Sequence, residues 1–332
     1  MEHSTLNAAR KQFSRVGMVL FVGTLLIIAI QTLVDNIAVK IPALAGNASL
    51  FFLIRMLSMY IIAYPIIFFL LKRIPAAADI EQKKMSFKQI MAAFFVAYAA
   101  TYILNFLANM LTVLIVAIKQ SPVDNVMLNL VTNISPAANF LAVVICAPIM
   151  EELLFRKAVI DRTVHYGKAP SIIFSGLLFG LFHGNLVQFA YAFFLGIFFG
   201  FIYVTTKNIV YPIILHMMLN FLGSFVGTFI LEWSGYMKVM QTAAENATDA
   251  EIVAAMMENA GGMTIYLLYA LCIIGFVIAG IIIFIINRKK FALPAEDTDL
   301  PRGQRFRTMF LNPGALLFCI FWISMIILQL AV

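Results

Sequence analysis

The sequence has little charge and few cysteines. Asp, Glu, Lys and Arg make up 12% of its 332 residues, against about 25% in soluble domains. Its three cysteines, Cys146, Cys272 and Cys319, all lie in apolar segments, where a free cysteine behaves as a small hydrophobic residue. They therefore predict neither a disulfide framework nor a cysteine-based zinc site. With 63% hydrophobic residues and a mean hydropathy of +0.96, the composition excludes an ordinary soluble protein.

The sequence contains many long apolar segments. A helix of roughly 20 residues crosses a bilayer core of about 30 Å, and nine segments approach or exceed that length. They lie near 16–34, 50–71, 90–118, 137–154, 170–183, 186–206, 209–230, 263–286 and 314–331. The segment at 170–183 is short. The sequence thus predicts an all-α fold, a polytopic transmembrane helical bundle of about eight or nine spans.

The basic residues indicate how the chain crosses the membrane. The formal net charge is +7, but the cations fall in alternate loops, so they form no patch for a nucleic acid. If the N-terminus is cytoplasmic, all Lys and Arg residues lie on the inner side except Lys40, Arg55, Lys119 and Lys238. The positive-inside rule therefore predicts an integral, multi-pass membrane protein with a cytoplasmic N-terminus.

Polar side chains interrupt three of the four apolar segments between residues 137 and 230. Glu151 and Glu152 lie in the first of these segments, His183 at the end of the second, and His216 with Asn220 in a later one. An ionisable group at membrane depth costs several kcal/mol unless it finds a partner or water, so such residues suggest a functional site.

Local spacing separates the roles of the two glutamates. Glu152 and Arg156 are four residues apart, the spacing that places an ion pair on one helical face. Glu151 points about 100° away from that pair. Glu151 and His183 are equally far from Gly167, so a helical hairpin that turns at this glycine would bring them to the same depth.

His216 and Asn220 are also four residues apart and share a helical face. The set of an acid, two imidazoles and an amide suits attack of water on a peptide bond. A carboxylate can take a proton from water, and an imidazole can hold that water and return a proton. The second imidazole and the amide are donors that can stabilise the oxyanion of the tetrahedral intermediate.

The three motifs also resemble a known family. Glu-Glu-x-x-x-Arg, Phe-x-x-x-His and His-x-x-x-Asn, in this order over about residues 137–225, are similar to the motifs of the CAAX protease and bacteriocin-processing intramembrane endopeptidases, which include the type II CAAX prenyl endopeptidases. The resemblance implies an endopeptidase without a cofactor. The implied catalytic residues are Glu151 as the base, His183 as its partner on water, His216 and Asn220 as oxyanion donors, and Glu152 and Arg156 as support.

With this resemblance, the chain divides into four regions. We expect N-terminal transmembrane spans at 1–89, a membrane-embedded protease core at 90–230, an outside loop at 231–262 and C-terminal transmembrane spans at 263–332. The expected partners are the lipid bilayer and a membrane-associated or lipidated peptide or protein as substrate.

Three other functions remain open from the sequence. Glu151, His183 and His216 could instead hold a catalytic zinc ion with one position left for water, although the chain has no His-Glu-x-x-His motif. Buried carboxylates and histidines also occur in proton relays, so a membrane transporter is a second alternative. A non-catalytic immunity protein is a third.

Overall fold

The computed structural model describes residues 3–77, 82–121, 134–244, 248–293 and 300–331. All regular secondary structure in these residues is helical. The prediction of an all-α polytopic bundle is therefore confirmed.

Eight helices among the described residues are long and apolar enough to cross a membrane. They are α1 (Ser4–Ala38), α2 (Ala48–Lys72), α3 (Phe87–Lys119), α4 (Pro136–Tyr166), α6 (Leu186–Thr206), α7 (Val210–Trp233), α10 (Ala260–Phe291) and α12 (Pro313–Ala331). The shorter helices are α5 (Lys168–Phe182), α8 (Tyr236–Ala244), α9 (Asp249–Glu258) and α11 (Arg305–Phe310). Two single turns, Pro42–Ala45 and Arg302–Gln304, complete the helical segments.

The short apolar segment at 170–183, the fifth of the nine along the sequence, forms α5, which has 15 residues. At 1.5 Å per residue it is about 22 Å long, which is less than the apolar thickness of a bilayer. It follows α4 through Gly167, whose φ of 118° is a conformation that L side chains rarely adopt. Ser175 of α5 donates a hydrogen bond of 2.6 Å to the carbonyl oxygen of Phe155 in α4. The predicted hairpin at Gly167 is thus confirmed.

Prolines explain two local widenings of the helices. The π-helical turn Met59–Ala63 in α2 ends just before Pro65, and the π-helical stretch Phe140–Cys146 in α4 ends just before Pro148. A proline inside a helix has no N–H to donate, and its ring collides with the carbonyl four residues earlier. A wider turn before the proline accommodates both effects without ending the helix.

Glycines allow the helices near the polar residues to approach closely. A Cβ atom added to Gly196 of α6 would lie 2.6 Å from the Cα atom of Gly176 in α5. Likewise, a Cβ atom on Gly180 would lie 3.0 Å from the backbone of Phe193. Small residues at such crossings are typical of membrane helices. The helices α5 and α6 are therefore closely packed against each other, and both contact α4.

Two hydrophobic clusters meet at the α5–α6 pair. The first joins α1, α2, α4, α5 and α12 and contains Phe155 and Phe179. The second joins α3, α6, α7 and α10 and contains Phe199 and Leu215. The polar residues of the three motifs lie where these clusters meet, because Arg156 of α4 contacts the rings of both Phe179 and Phe199.

Candidate active site

The polar residues lie next to irregular helical turns. In α4 the helix changes from α to π geometry directly after Glu151, over Glu152–Ile160. In α7 the same change follows directly after Asn220, over Phe221–Val226. Such π-helical insertions occur frequently at functional sites, where they re-aim side chains that a regular helix would place elsewhere.

Glu152 and Arg156 form an ion pair within α4. The guanidinium Nε lies 2.9 Å from carboxylate Oε2, and both side chains are fully buried. The contact lacks hydrogen-bond geometry, and among the described residues the guanidinium nitrogens have no hydrogen-bond acceptor. Instead, the guanidinium carbon lies 4.0 Å from the centre of the Phe179 ring, so a cation–π contact and the ion pair together hold the buried charge.

His216 lies between the two glutamates. Its Nδ1 is 2.8 Å from Oε1 of Glu152, and its Nε2 is 3.9 Å from Oε2 of Glu151. His216 is 6% exposed, and Phe199 and Phe179 flank its ring. The imidazole therefore has one nitrogen fixed by a buried carboxylate and the other directed to the more exposed one.

His183 lies directly after α5. Its Nδ1 is 2.9 Å from the carbonyl oxygen of Phe179. Because a carbonyl oxygen only accepts, Nδ1 must carry the hydrogen, which leaves Nε2 of the neutral imidazole as an acceptor. His183 interacts electrostatically with Glu151 and His216. The second motif therefore lies within electrostatic range of the first and the third.

Asn220 makes a different contact from the one expected. Its amide nitrogen donates a hydrogen bond of 2.9 Å to the carbonyl oxygen of Val143 in α4. On the same interface, Asn139 of α4 exchanges two hydrogen bonds with Ser224 of α7, of 3.2 and 2.8 Å. Asn220 thus connects the third motif to α4, with one of its two amide hydrogens already engaged.

The structure therefore brings Glu151, Glu152, Arg156 and His216 into direct contact. It places His183 within electrostatic range and ties Asn220 to the backbone of α4. Sequence spacing indicates the pair within one helix. The contact between Glu152 and His216 joins residues 64 positions apart, and no periodicity in the sequence indicates it.

Sequence reasoning also missed Tyr60 and Tyr64 of α2. Both are buried, and within the described ranges neither hydroxyl has a hydrogen-bond partner. Both interact electrostatically with Glu151. Two tyrosines four residues apart in an apolar segment are typical of a helix core, so the sequence alone gave no signal for them.

The zinc alternative finds mixed support in the geometry. The Phe179 carbonyl and the Glu152 carboxylate lie behind Nδ1 of the two histidines, as the outer acceptors of a zinc site would. However, no three His, Cys, Asp or Glu side chains of the described residues are grouped so that they could hold a metal ion. Metal dependence stays a prediction to be measured.

The comparisons with known proteins agree with the motifs. The Rce1-like family model, described as type II CAAX prenyl endopeptidase, matches residues 133–222, a range that contains all three motifs. No curated protein and no solved structure matches the chain. The segment 133–222 of this multi-pass membrane protein is thus similar to the Rce1-like type II CAAX prenyl endopeptidases, which confirms the resemblance seen in the motifs and supports an intramembrane endopeptidase in general.

Proposed function

We propose that the protein hydrolyses a peptide bond of a membrane-associated or lipidated peptide, with water activated by Glu151. The observation that carries this proposal is the position of His216, with Nδ1 at 2.8 Å from Glu152 and Nε2 at 3.9 Å from Glu151. A buried carboxylate, an oriented imidazole and a partly exposed carboxylate are the groups that general acid–base hydrolysis needs.

In the first step, Glu151 takes a proton from water. The side chain of Glu151 is 17% exposed, whereas that of Glu152 is fully buried, so Glu151 is the carboxylate that water can reach. The neutral Nε2 of His183 accepts a hydrogen bond from the second O–H of the same water molecule, and this hydrogen stays on the water oxygen. The water oxygen then bonds to the carbonyl carbon of the substrate, and the electrons of the C=O double bond move to its oxygen.

His216 stabilises the oxygen that becomes negative. Because its Nδ1 already donates to Glu152, Nε2 can donate only when His216 is an imidazolium. In that form, the two cations Arg156 and His216 balance the two carboxylates, so the cluster carries no net charge. A donor of this kind typically contributes about 3 kcal/mol to the transition state. The second amide hydrogen of Asn220 is the further donor of the proposal.

Collapse of the intermediate breaks the C–N bond. The proton that Glu151 took from water reaches the leaving amine through the imidazole of His183, so the balance of protons closes without a cofactor. Glu152 and Arg156 act through His216: the buried ion pair fixes Oε1 of Glu152 against the ring. We further propose that the N-terminus is cytoplasmic and that the site opens toward the cytoplasmic side.

The test is an assay of purified protein on a panel of prenylated, acylated and leader-type peptides. We expect wild-type protein to cleave at least one class, and Glu151→Gln and His183→Ala to lose turnover. Glu258→Gln is a matched control, because its side chain is 65% exposed in the outer segment. Full turnover by either site variant would remove the mechanism, and no cleavage by wild-type protein would favour a non-catalytic role.

A further inference from the structure

Two buried tyrosines of α2, Tyr60 and Tyr64, carry hydroxyl groups that form no hydrogen bond with the described residues. Tyr64 is 0% and Tyr60 is 7% exposed. Their rings meet edge to face at 5.4 Å, but the hydroxyls do not bond to each other or to any other group in the described part of the chain. The rings are thus well packed, whereas their hydroxyl groups lack hydrogen-bond partners.

An unpaired buried hydroxyl is unfavourable. It typically costs about 1–3 kcal/mol, because the group gives up its bonds to water and gains none. A rigid ring also holds the tyrosine oxygen away from its own backbone, so it cannot use the local bonds available to serine or threonine. Phenylalanine would fill the same space without that cost. Buried polar groups left in this state are often reserved for a functional partner.

The position of these hydroxyls identifies the partner. The segment Tyr64–Lys72 of α2 contacts Glu152–Ile160 of α4, and both tyrosines share a hydrophobic cluster with Leu154 and Phe155 of α4. Both tyrosines also lie within electrostatic range of Glu151. A third tyrosine in range of Glu151, Tyr191 of α6, interacts with the side chain of Gln188. Tyr60 and Tyr64 are therefore unused donors beside the proposed base.

The two other donors of the site each have one hydrogen engaged within the protein. Asn220 gives one amide hydrogen to the Val143 carbonyl, and His216 gives Nδ1 to Glu152. The geometry points to Tyr60 and Tyr64 as catalytic donors, whose hydroxyls bond the carbonyl oxygen of the peptide that is attacked beside Glu151. This inference rests on the proposed function and adds to it two residues outside the three motifs.

The two tyrosines change neither the bonds that form and break in the hydrolysis nor the path of its protons. As the water oxygen bonds to the carbonyl carbon, the C=O electrons move to oxygen, and the two O–H···O bonds shorten without transfer of their protons. Because the hydroxyls are neutral, they stabilise the new negative charge without adding a cation to a cluster whose charges already balance. In a dry environment such donors are more effective than in water.

The experiment compares Tyr60→Phe, Tyr64→Phe and the double variant with Tyr98→Phe. Tyr98 is 2% exposed, and it packs on Phe276 of α10 in the other hydrophobic cluster. Each single variant therefore removes one buried hydroxyl and keeps the ring, and the double variant removes two. For the site tyrosines we expect kcat to fall by about 100-fold with little change in KM. Their thermal midpoints should equal or exceed that of wild type, because an unpaired hydroxyl has been removed.

Three outcomes would overturn the inference: kcat near wild type in the double variant, an effect confined to KM, or a loss that follows a lowered thermal midpoint. Glu151→Gln in the same assay separates this failure from that of the proposed function. If Glu151→Gln is inactive while the double variant turns over fully, only the inference fails. If Glu151→Gln is fully active, the proposed function fails, and this inference fails with it.

Discussion

Nδ1 of His216 lies 2.8 Å from Oε1 of Glu152, and the other oxygen of the same carboxylate lies 2.9 Å from Nε of Arg156. One buried carboxylate therefore binds the guanidinium of Arg156 and the imidazole of His216, which lie on different helices. Because both of its oxygens are engaged, its position is fixed, and the ring of His216 cannot rotate without losing a charge-assisted hydrogen bond. The orientation of Nε2 toward Glu151 is a consequence of this arrangement.

Glu152→Gln is expected to damage stability and activity together. The amide keeps the shape of the side chain but leaves Arg156 as an uncompensated buried charge, which typically costs about 3–5 kcal/mol. It also releases His216 from its fixed orientation. The thermal midpoint of the purified protein should fall clearly, and turnover should fall by at least about tenfold.

The exposed pair of Lys238 and Glu258 supplies the control for this variant. Their N···O distance of 2.8 Å is as short as that of the buried pair, but the side chains are 58% and 65% exposed. Surface pairs contribute about 0–1 kcal/mol, so Glu258→Gln should leave the midpoint and turnover unchanged. Equal effects of the two substitutions would show that burial of Glu152 has no special importance.

The two asparagines between α4 and α7 allow the catalytic part of Asn220 to be separated from its structural part. Asn139→Ala removes the bonds to Ser224 and should lower the thermal midpoint only. Asn220→Ala removes one bond to Val143 and the proposed oxyanion donor, so kcat should fall by about 100-fold as well. A kcat for Asn220→Ala that matches that of Asn139→Ala would assign Asn220 a purely structural role.

Most of the fold follows from the sequence because it depends on local patterns. Hydropathy gives the spans, and the apolar segment at 90–118 corresponds closely to Phe87–Lys119. The segment at 137–154 is too short, since α4 continues to Tyr166. The reason is Arg156: a cation normally marks the end of an apolar segment, but here Glu152 and Phe179 bury it completely.

The candidate site follows only in part. The pair of Glu152 and Arg156 is local and is determined by helical spacing. The contact of Glu152 with His216 and that of Asn220 with Val143 depend on the packing of α7 against α4. Side-chain spacing within one helix carries no information on which backbone carbonyl of another helix will lie opposite. The unpaired hydroxyls of Tyr60 and Tyr64 are invisible in the sequence for the same reason.

The contact between α5 and α6 predicts a strong effect of a small substitution. In Gly196→Ala the new methyl group would lie 2.6 Å from the Cα of Gly176, so the helices must separate, at a typical cost of about 1–3 kcal/mol. Because α5 ends next to His183, turnover should fall along with the thermal midpoint. Gly275→Ala in α10 is the control, since apart from its chain neighbours and the backbone of its own helix no described atom lies within 4 Å of its added Cβ, and alanine favours a helix.

The proposed orientation can be tested with cysteine labelling. After the three native cysteines are replaced by alanine, Lys84→Cys and Lys238→Cys each present one exposed thiol. A membrane-impermeant maleimide should label Lys238→Cys in intact cells and Lys84→Cys only after permeabilisation, because the positive-inside rule places Lys84 in the cytoplasm. The reverse pattern would place the N-terminus on the outside.

The mechanism without metal makes a prediction that separates it from the zinc alternative. Activity should persist after dialysis against a strong chelator, and the purified protein should contain far less than one zinc ion per chain. If Glu151, His183 and His216 instead held zinc, the chelator should abolish turnover and added zinc should restore it. Glu152→Gln sharpens the comparison: as an outer partner of a zinc ligand, Glu152 would be needed for metal affinity. In the mechanism without metal, excess zinc should leave the activity of this variant unchanged.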